Sequence, residues 1–319
     1  IEFSLGWGAT GLVGTLGLKF TNFAIQNLFN PESYRIVPQG EGQTFSINAR
    51  TNGVYYTSAS MSFLEPWLGG KRPNSLSANI FFASQTGYSD RYYQAYQNLY
   101  NTYYNYYAYS GNSNYLQRLQ ESEADPDKYL RTFGVSIGYG KRLSWPDDYF
   151  SFYGELSYQM YMMKDWPYMI LTDGMSHNLA LNLQISRSSI DNPIYTRRGS
   201  QFTLGLKITP PYSLIKGTTD AQYAQMTNSE KYNLLEYHKW RFSGKVFTPL
   251  SADSKLVLMA RAEFGYLGHY NKNAKSPFES FYMGGDGMSS YSSYSTEYVA
   301  MRGYQSGSLT PYDPATGRN

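Results

Sequence analysis

Apolar and polar residues alternate with a period of two along most of this chain, and the run Asn178-Leu179-Ala180-Leu181-Asn182-Leu183-Gln184-Ile185-Ser186 shows it most cleanly. Successive side chains of a β-strand point to opposite faces, so such a segment is greasy on one side and wet on the other. Phe202, Leu204, Leu206 and Ile208 alternate in the same way with Gln201, Thr203, Gly205 and Lys207, as do Trp240, Phe242 and Val246 with Lys239, Arg241, Ser243 and Lys245. Followed from end to end, the pattern predicts eleven strands, near 2–9, 11–22, 43–51, 54–64, 75–85, 130–142, 149–162, 176–188, 199–209, 238–248 and 255–267. Several run 11–14 residues. Strands of globular proteins are mostly about 5–6 residues long, whereas about 9–11 tilted residues cross the hydrocarbon core of a bilayer. The fold class this predicts is all-β, a transmembrane antiparallel β-barrel.

The connections support that reading, because barrels of this kind have short periplasmic turns and long extracellular loops. With the N-terminus on the periplasmic side, the connections near 52–53, 86–129, 163–175, 210–237 and 268–319 lie outside. Those at 65–74, 143–148, 189–198 and 249–254 lie inside. The 23–42 connection departs from the pattern, being nominally periplasmic yet about twenty residues long, and it opens with Phe23-Ala24-Ile25-Gln26-Asn27-Leu28-Phe29. It reads either as a continuation of the second strand or as a short interfacial helix. The 86–129 connection is dominated by Tyr, as in Tyr103-Tyr104-Asn105-Tyr106-Tyr107-Ala108-Tyr109. Such a segment is a solvated surface loop, or a docking surface for another surface-exposed protein or a glycan.

Composition narrows the function classes. The chain contains 34 Tyr and an aromatic fraction of 18%, and Tyr favours membrane interfaces and sheets. A net charge of +3 without a long basic run gives no field for nucleic acid. There is no Cys, which removes disulfides and thiolate metal sites and is compatible with an oxidising compartment. No apolar stretch approaches the roughly 18 residues of a membrane helix, so a membrane role falls to the strands. The chain opens at Ile1 with no signal peptide and reads as a mature or trimmed product.

Catalytic motifs are missing: no HExxH, Walker loop or GxSxG occurs. His177, His238 and His269 are isolated near strand ends, and Asp147-Asp148 after Trp145-Pro146 reads as turn chemistry. No enzyme, metal site or cofactor is expected. Glu155, Gln159, Arg241, Lys245, Arg261 and Glu263 fall on the polar phase of their strands and would line a wet interior. They suit a pore if the loops leave the lumen open, and an inward-folded loop if the loops close it.

After the eleventh predicted strand stands Pro277-Phe278-Glu279-Ser280-Phe281-Tyr282-Met283-Gly284-Gly285, followed by Met301-Arg302-Gly303-Tyr304. An isolated Arg-Gly-Tyr is an ordinary surface turn. Placed in a long loop behind eleven membrane-type strands, the two segments resemble the sixth extracellular loop of the Omp85 family of outer-membrane assembly barrels, its BamA branch most of all. Ser62-Phe63-Leu64-Glu65-Pro66-Trp67-Leu68 resembles that family's strand-four ending, and the stretch from Asp191 to Ser200 its turn before strand nine. A spacer from Asp286 to Ala300 separates the two halves of the loop motif.

The resemblance implies a sixteen-stranded barrel, of which residues 1–319 supply about eleven, ending inside the sixth loop at 268–319. POTRA modules and the last strands would lie in other parts of the protein. It implies that the loop folds into the lumen and that Arg302, with five donors in a rigid fork, reaches the inner wall beside Met301, Gly303 and Tyr304, with Gly284 and Gly285 upstream. It implies a lateral-gate strand, Glu2-Phe3-Ser4-Leu5-Gly6-Trp7-Gly8, offering its edge to a substrate strand by β-augmentation. The function implied is folding and insertion of β-barrel proteins into the outer membrane of a Gram-negative bacterium. Unfolded barrel substrates, accessory lipoproteins, membrane lipid and lipopolysaccharide would be the partners, with surface-exposed proteins at the extracellular loops. A secretion channel of the same family and a surface adhesion or scaffold barrel are the rival readings.

Overall fold

The structure, a computed structural model, describes residues 2–8, 11–53, 55–70, 73–88, 124–166, 169–284, 296–304 and 308–309. Its centre is one eleven-stranded sheet in simple chain order, every neighbouring pair antiparallel. The strands are β1 (Glu2–Gly8), β2 (Gly11–Phe23), β3 (Gln43–Asn52), β4 (Tyr56–Glu65), β5 (Asn74–Tyr88) and β6 (Ala124–Arg142). They continue with β7 (Phe150–Lys164), β8 (Gly174–Ser188), β9 (Gly199–Ile208), β10 (His238–Pro249) and β11 (Val257–Gly268). All eleven expected strands are present, most within two or three residues of the sequence pattern.

Register explains why the alternation was so clean. Across β8, β9 and β10, Asn182 faces Lys207, which faces Lys239, and Ser186 faces Thr203, which faces Ser243. These residues form one polar face, whereas Leu181, Leu204, Val246 and, on β6 and β7, Ile137 and Leu156 are exposed on the other. Ten or more residues at constant phase on every strand from β2 to β11 give the two faces of a bilayer-spanning wall, one for lipid and one for the lumen.

Two segments differ from expectation. β6 begins at Ala124, six residues before the alternation sets in, because Tyr88 and Gly87 pair with Ala124 and Asp125 across a register shift. Pro126 and the flanking Asp125 and Asp127 read as a loop, yet the pairing carries the strand through a bulge. The 24–42 connection is not a continuation of β2 but opens, as its other reading had it, with a short helix, of 3₁₀ form at Ile25–Phe29; a second 3₁₀ turn, Pro31–Ser33, and a hairpin of two-residue strands follow, which the sequence pattern did not show. The Tyr-rich stretch at 103–109 lies outside the described residues.

The buried core sits at the end of the sheet that carries the long connections. Leu130, Tyr161 and Met163 on the polar face of β6 and β7 meet Trp166, Met169 and Leu171 from one long connection, Leu235 and Tyr237 from the next, and Phe278 from the third. The loops therefore fold over the wall instead of standing away from it. The 209–237 connection carries α1 (Tyr212–Lys216), α2 (Asp220–Gln225) and α3 (Asn228–Lys231). Capping boxes at Thr219/Gln222 and Thr227/Glu230 fix α2 and α3.

Candidate functional site

The segment after β11 turns back onto the inner wall. It contributes β12 (Ser280–Met283) and β13 (Thr296–Val299), paired in parallel with Ser280 opposite Thr296 and Met283 opposite Val299. This pairing joins the halves of the loop motif despite the long spacer between them: Gly284 N donates to Val299 O at 3.1 Å, just before Met301.

Wall and loop meet in a chain of alternating charge. Lys207 Nζ lies 2.7 Å and Lys239 Nζ 3.1 Å from the Glu279 carboxylate, whose side chain is wholly buried. Lys239 also lies 3.3 Å from Glu297, which pairs in turn with Arg241. The logic begins with register. Lys207 and Lys239 are directly opposite on β9 and β10, and like charges in that position repel. Glu279, entering between them from the loop, turns the repulsion into two ion pairs. A carboxylate removed from water costs several kcal/mol unless its oxygens are paired, and here they accept from both lysines and from the Tyr237 hydroxyl at 2.8 Å. Tyr237 is bound at the same time to Asn178 on β8. Burial first, and then the adjacent Glu279 charge, push its phenol well above the usual range, so it remains a donor.

Apolar contacts secure the same loop. Phe278 is fully buried and stacks on Tyr161 with ring centroids 4.3 Å apart. Burial of such a side chain contributes about 1.5–3 kcal/mol, and the aromatic pair roughly 0.5–1.5 more. Phe281 lies beneath Lys239, whose Nζ is 4.7 Å from the ring centroid. It also fits against Gly265 on β11, where an added Cβ would lie 2.7 Å from the ring. Gly265 is thus a notch cut in the wall for the loop.

Of the polar-phase residues expected to line the interior, Arg241 reaches the loop, and Glu155, Gln159, Arg261 and Glu263 bond within the wall. Glu155 accepts from Tyr153 and Asn182, Gln159 from Tyr161 and Asn178, and Glu263 from Arg261 and Ser243. Lys245 stands opposite Arg261 on the same face. Two of the three histidines take structural positions, His177 Nδ1 lying 2.8 Å from the Tyr158 hydroxyl and His238 Nδ1 accepting from Trp240. Asp147 pairs with Arg187 at 2.9 Å in its turn.

Met301 is half-buried, and Arg302, Gly303 and Tyr304 form an exposed turn in which Tyr304 N donates to Met301 O. Gly303 has φ +91°, where a side chain would be strained. No ion pair of Arg302 occurs among the described residues; the wall contact there is made by Glu279 and Glu297. Gly285 lies outside the described residues. At the opposite edge of the sheet, β1 pairs among the described residues with β2 alone, through all seven residues from Glu2↔Gly17 to Gly8↔Gly11. Phe3 and Leu5 are exposed on the lipid phase, and nothing lies near the missing Cβ of Gly6.

The wall, its polar lining and a loop returned onto it define a transmembrane β-barrel of the outer-membrane type. The Omp85 superfamily domain matches residues 39–319, and the chain belongs to that superfamily. Among solved structures it is similar to the crystal structure of BamA from Haemophilus ducreyi lacking POTRA domains 1-3, at 17% sequence identity and a TM-score of 0.56. The match covers 97% of this chain and 46% of that one, so the chain spans about half the length of the relative. No curated protein matches it.

Proposed function

We propose that this chain is the barrel core of an outer-membrane assembly factor, which folds and inserts other β-barrel proteins through the free edge of β1. The observation that carries the reading is the docked loop. With Glu279 and Glu297 tied to the wall and Phe278 inside the loop cluster, the loop occupies the inner face at its extracellular end, which weighs against an open diffusion pore. The sheet edge then becomes the working surface. β1 is hydrogen-bonded to β2, and on this reading its outer edge meets the barrel's last strand weakly enough to part and offer backbone groups to a substrate strand by β-augmentation. Gly6 and Gly8 supply little packing to hold a permanent neighbour.

The protein is placed in the outer membrane of a Gram-negative bacterium, with the short turns in the periplasm and the long loops outside. Unfolded barrel proteins are its substrates, and accessory outer-membrane lipoproteins its partners. In the loop, the turn from Met301 through the exposed Arg302, Gly303 and Tyr304 is the part left to engage strands of the barrel other than β1–β11. Depletion of the protein in its own host is the test: the levels of folded outer-membrane barrels are expected to fall together. Normal barrel levels with loss of one secreted protein would replace this reading with a secretion channel.

A further inference from the structure

The 24–42 connection between β2 and β3 carries apolar side chains directed away from the protein. Phe29 is 93% exposed and Ile36 89%, with Ile25, Leu28 and Tyr34 exposed beside them. The segment is tied down throughout. Ala24, fully buried, donates to Pro38 O at 3.0 Å, Ile25 N to Gln43 Oε1 at 2.8 Å, Asn27 Nδ2 to Gln39 O at 2.9 Å, and the Tyr34 hydroxyl to Leu28 O at 2.7 Å. Gln43 also donates to Glu65, at 2.7 Å, which locks this connection to the next turn, where Trp67 and Leu68 are exposed. Ile36 has φ +83°, a left-handed conformation that is a genuine outlier for a β-branched residue. Backbone strain and apolar exposure coincide at one residue, a combination that marks functional surfaces.

What covers this patch follows from its continuity with the wall. Phe20, Phe23, Phe45 and Phe63 form an aromatic group at the same end of β2, β3 and β4, with centroid separations of 6.5 Å for Phe20–Phe45, 5.2 Å for Phe23–Phe45 and 6.2 Å for Phe23–Phe63. Phe20, Phe45 and Phe63 are on the lipid phase, since Phe20 faces Phe45 and Phe45 faces Phe63 in register with Leu18, Ile47 and Met61. The exposed residues begin two positions after Phe23, where the lipid-facing band would otherwise stop. Glu32 and Arg35 are exposed on the same projection, and a mixed charged rim above an apolar face is the form of an interfacial membrane anchor.

We propose that residues 25–36, with Trp67 and Leu68, form a foot embedded at the headgroup–acyl boundary of the periplasmic leaflet, close to the β1 edge. The occupant of the patch is phospholipid. This requires only that the barrel spans a bilayer, and it stands whether or not the protein is an insertase.

The sequence has no Cys, so a nitroxide label can be placed at single sites in the full-length protein once any cysteine elsewhere is replaced by serine. Phe29→Cys and Ile36→Cys are labelled and reconstituted into vesicles of phosphatidylethanolamine and phosphatidylglycerol, with Ile137→Cys as the lipid-facing control and Asp253→Cys as the aqueous one. Relaxation by oxygen relative to a water-soluble nickel chelate is then measured. The foot predicts an oxygen-to-nickel ratio at positions 29 and 36 severalfold above that at 253 and below that at 137, which lies deeper in the wall. A ratio equal to that at 253 overturns the proposal, and so does low access to both reagents, which would mean that the patch is covered by protein.

Discussion

Glu279 carries more of the loop's attachment than any other charged residue of the segment, because its partners are already in conflict without it. Lys207 and Lys239 face each other across β9 and β10, and each lies within 3.1 Å of the same carboxylate. Replacing Glu279 with Ala would leave two cations opposed over an emptied site. Breaking a buried pair of this kind costs about 3–5 kcal/mol, here taken from the docked state of the loop. We therefore expect Glu279→Ala to speed hydrogen exchange of the amides at 278–284 while those of β7 and β8 stay protected. Adding Lys239→Met should restore part of the protection by removing one of the opposed charges. Strictly additive losses in the double variant would show that Glu279 and Lys239 are not coupled through this contact. The same ladder shows how legibility varied at this scale. Arg241 was visible in the sequence as a lumen residue, but Glu279 appeared only as one letter of a motif. The opposition of Lys207 and Lys239 could not be seen until the strand register was known. A Glu flanked by Phe278 and Phe281 in Pro277-Phe278-Glu279-Ser280-Phe281 was the one signal available, since a carboxylate buried between such rings needs a cation.

At the scale of elements, the strands were legible because each one keeps lipid on one side and the lumen on the other for its whole length, so tertiary context reinforces the period-two pattern. Where the environment changes, the pattern fails. β6 was cut short at the bulge near Pro126, where pairing with Thr86 and Gly87 overrides local preference. The three helices of the 209–237 connection, four to six residues each, are too short to show a helical period. Their capping boxes, Thr219 with Gln222 and Thr227 with Glu230, were nevertheless written in the sequence. The turns are set by similar local chemistry, and one yields a pH prediction. Asp191, between β8 and β9, accepts from the backbone N–H of Arg197 at 3.0 Å, of Arg198 at 3.3 Å and of Asn192 at 3.0 Å. These bonds, that of Arg197 foremost, hold its carboxyl below the usual carboxylate range. A group with a depressed folded pKa adds stability above its unfolded value, about 3.9 for Asp, and loses it as pH falls through the folded value. The Arg197 and Arg198 amide resonances should therefore stay fixed from neutral pH to about 5 and move only under stronger acid. Asp191→Asn should show the altered turn already at neutral pH. Resonances that move between neutral pH and 5 would assign the turn's stability to some other group.

At the scale of the whole molecule, the wall and its loops are joined at the end that carries the long connections. Three long connections contribute to a single buried cluster, through Trp166, Leu235 and Phe278, and the ion-pair ladder ties that cluster to β9 and β10. An inner face lined with Lys207, Lys239, Arg241, Glu155 and Glu263 would attract and pass ions if it were open, so conductance reads directly on the loop's position. In planar bilayers the full-length protein is expected to spend most of its time at low conductance. Glu279→Gln combined with Glu297→Gln keeps the shapes of both side chains but removes the Glu279 carboxylate from Lys207 and Lys239 and the Glu297 carboxylate from Lys239 and Arg241. That variant should raise the time spent in high-conductance states severalfold, and the rise should be larger than with either change alone because Lys239 is shared between the two acids. Phe278 and its stacking on Tyr161 still hold the loop in the double variant, so the expected result is more frequent opening and not a permanent pore. A wild-type protein that conducts as steadily as the double variant would mean that the lumen is not closed by this loop. The β1 edge would then not be the working surface, because an open channel could carry the function by itself.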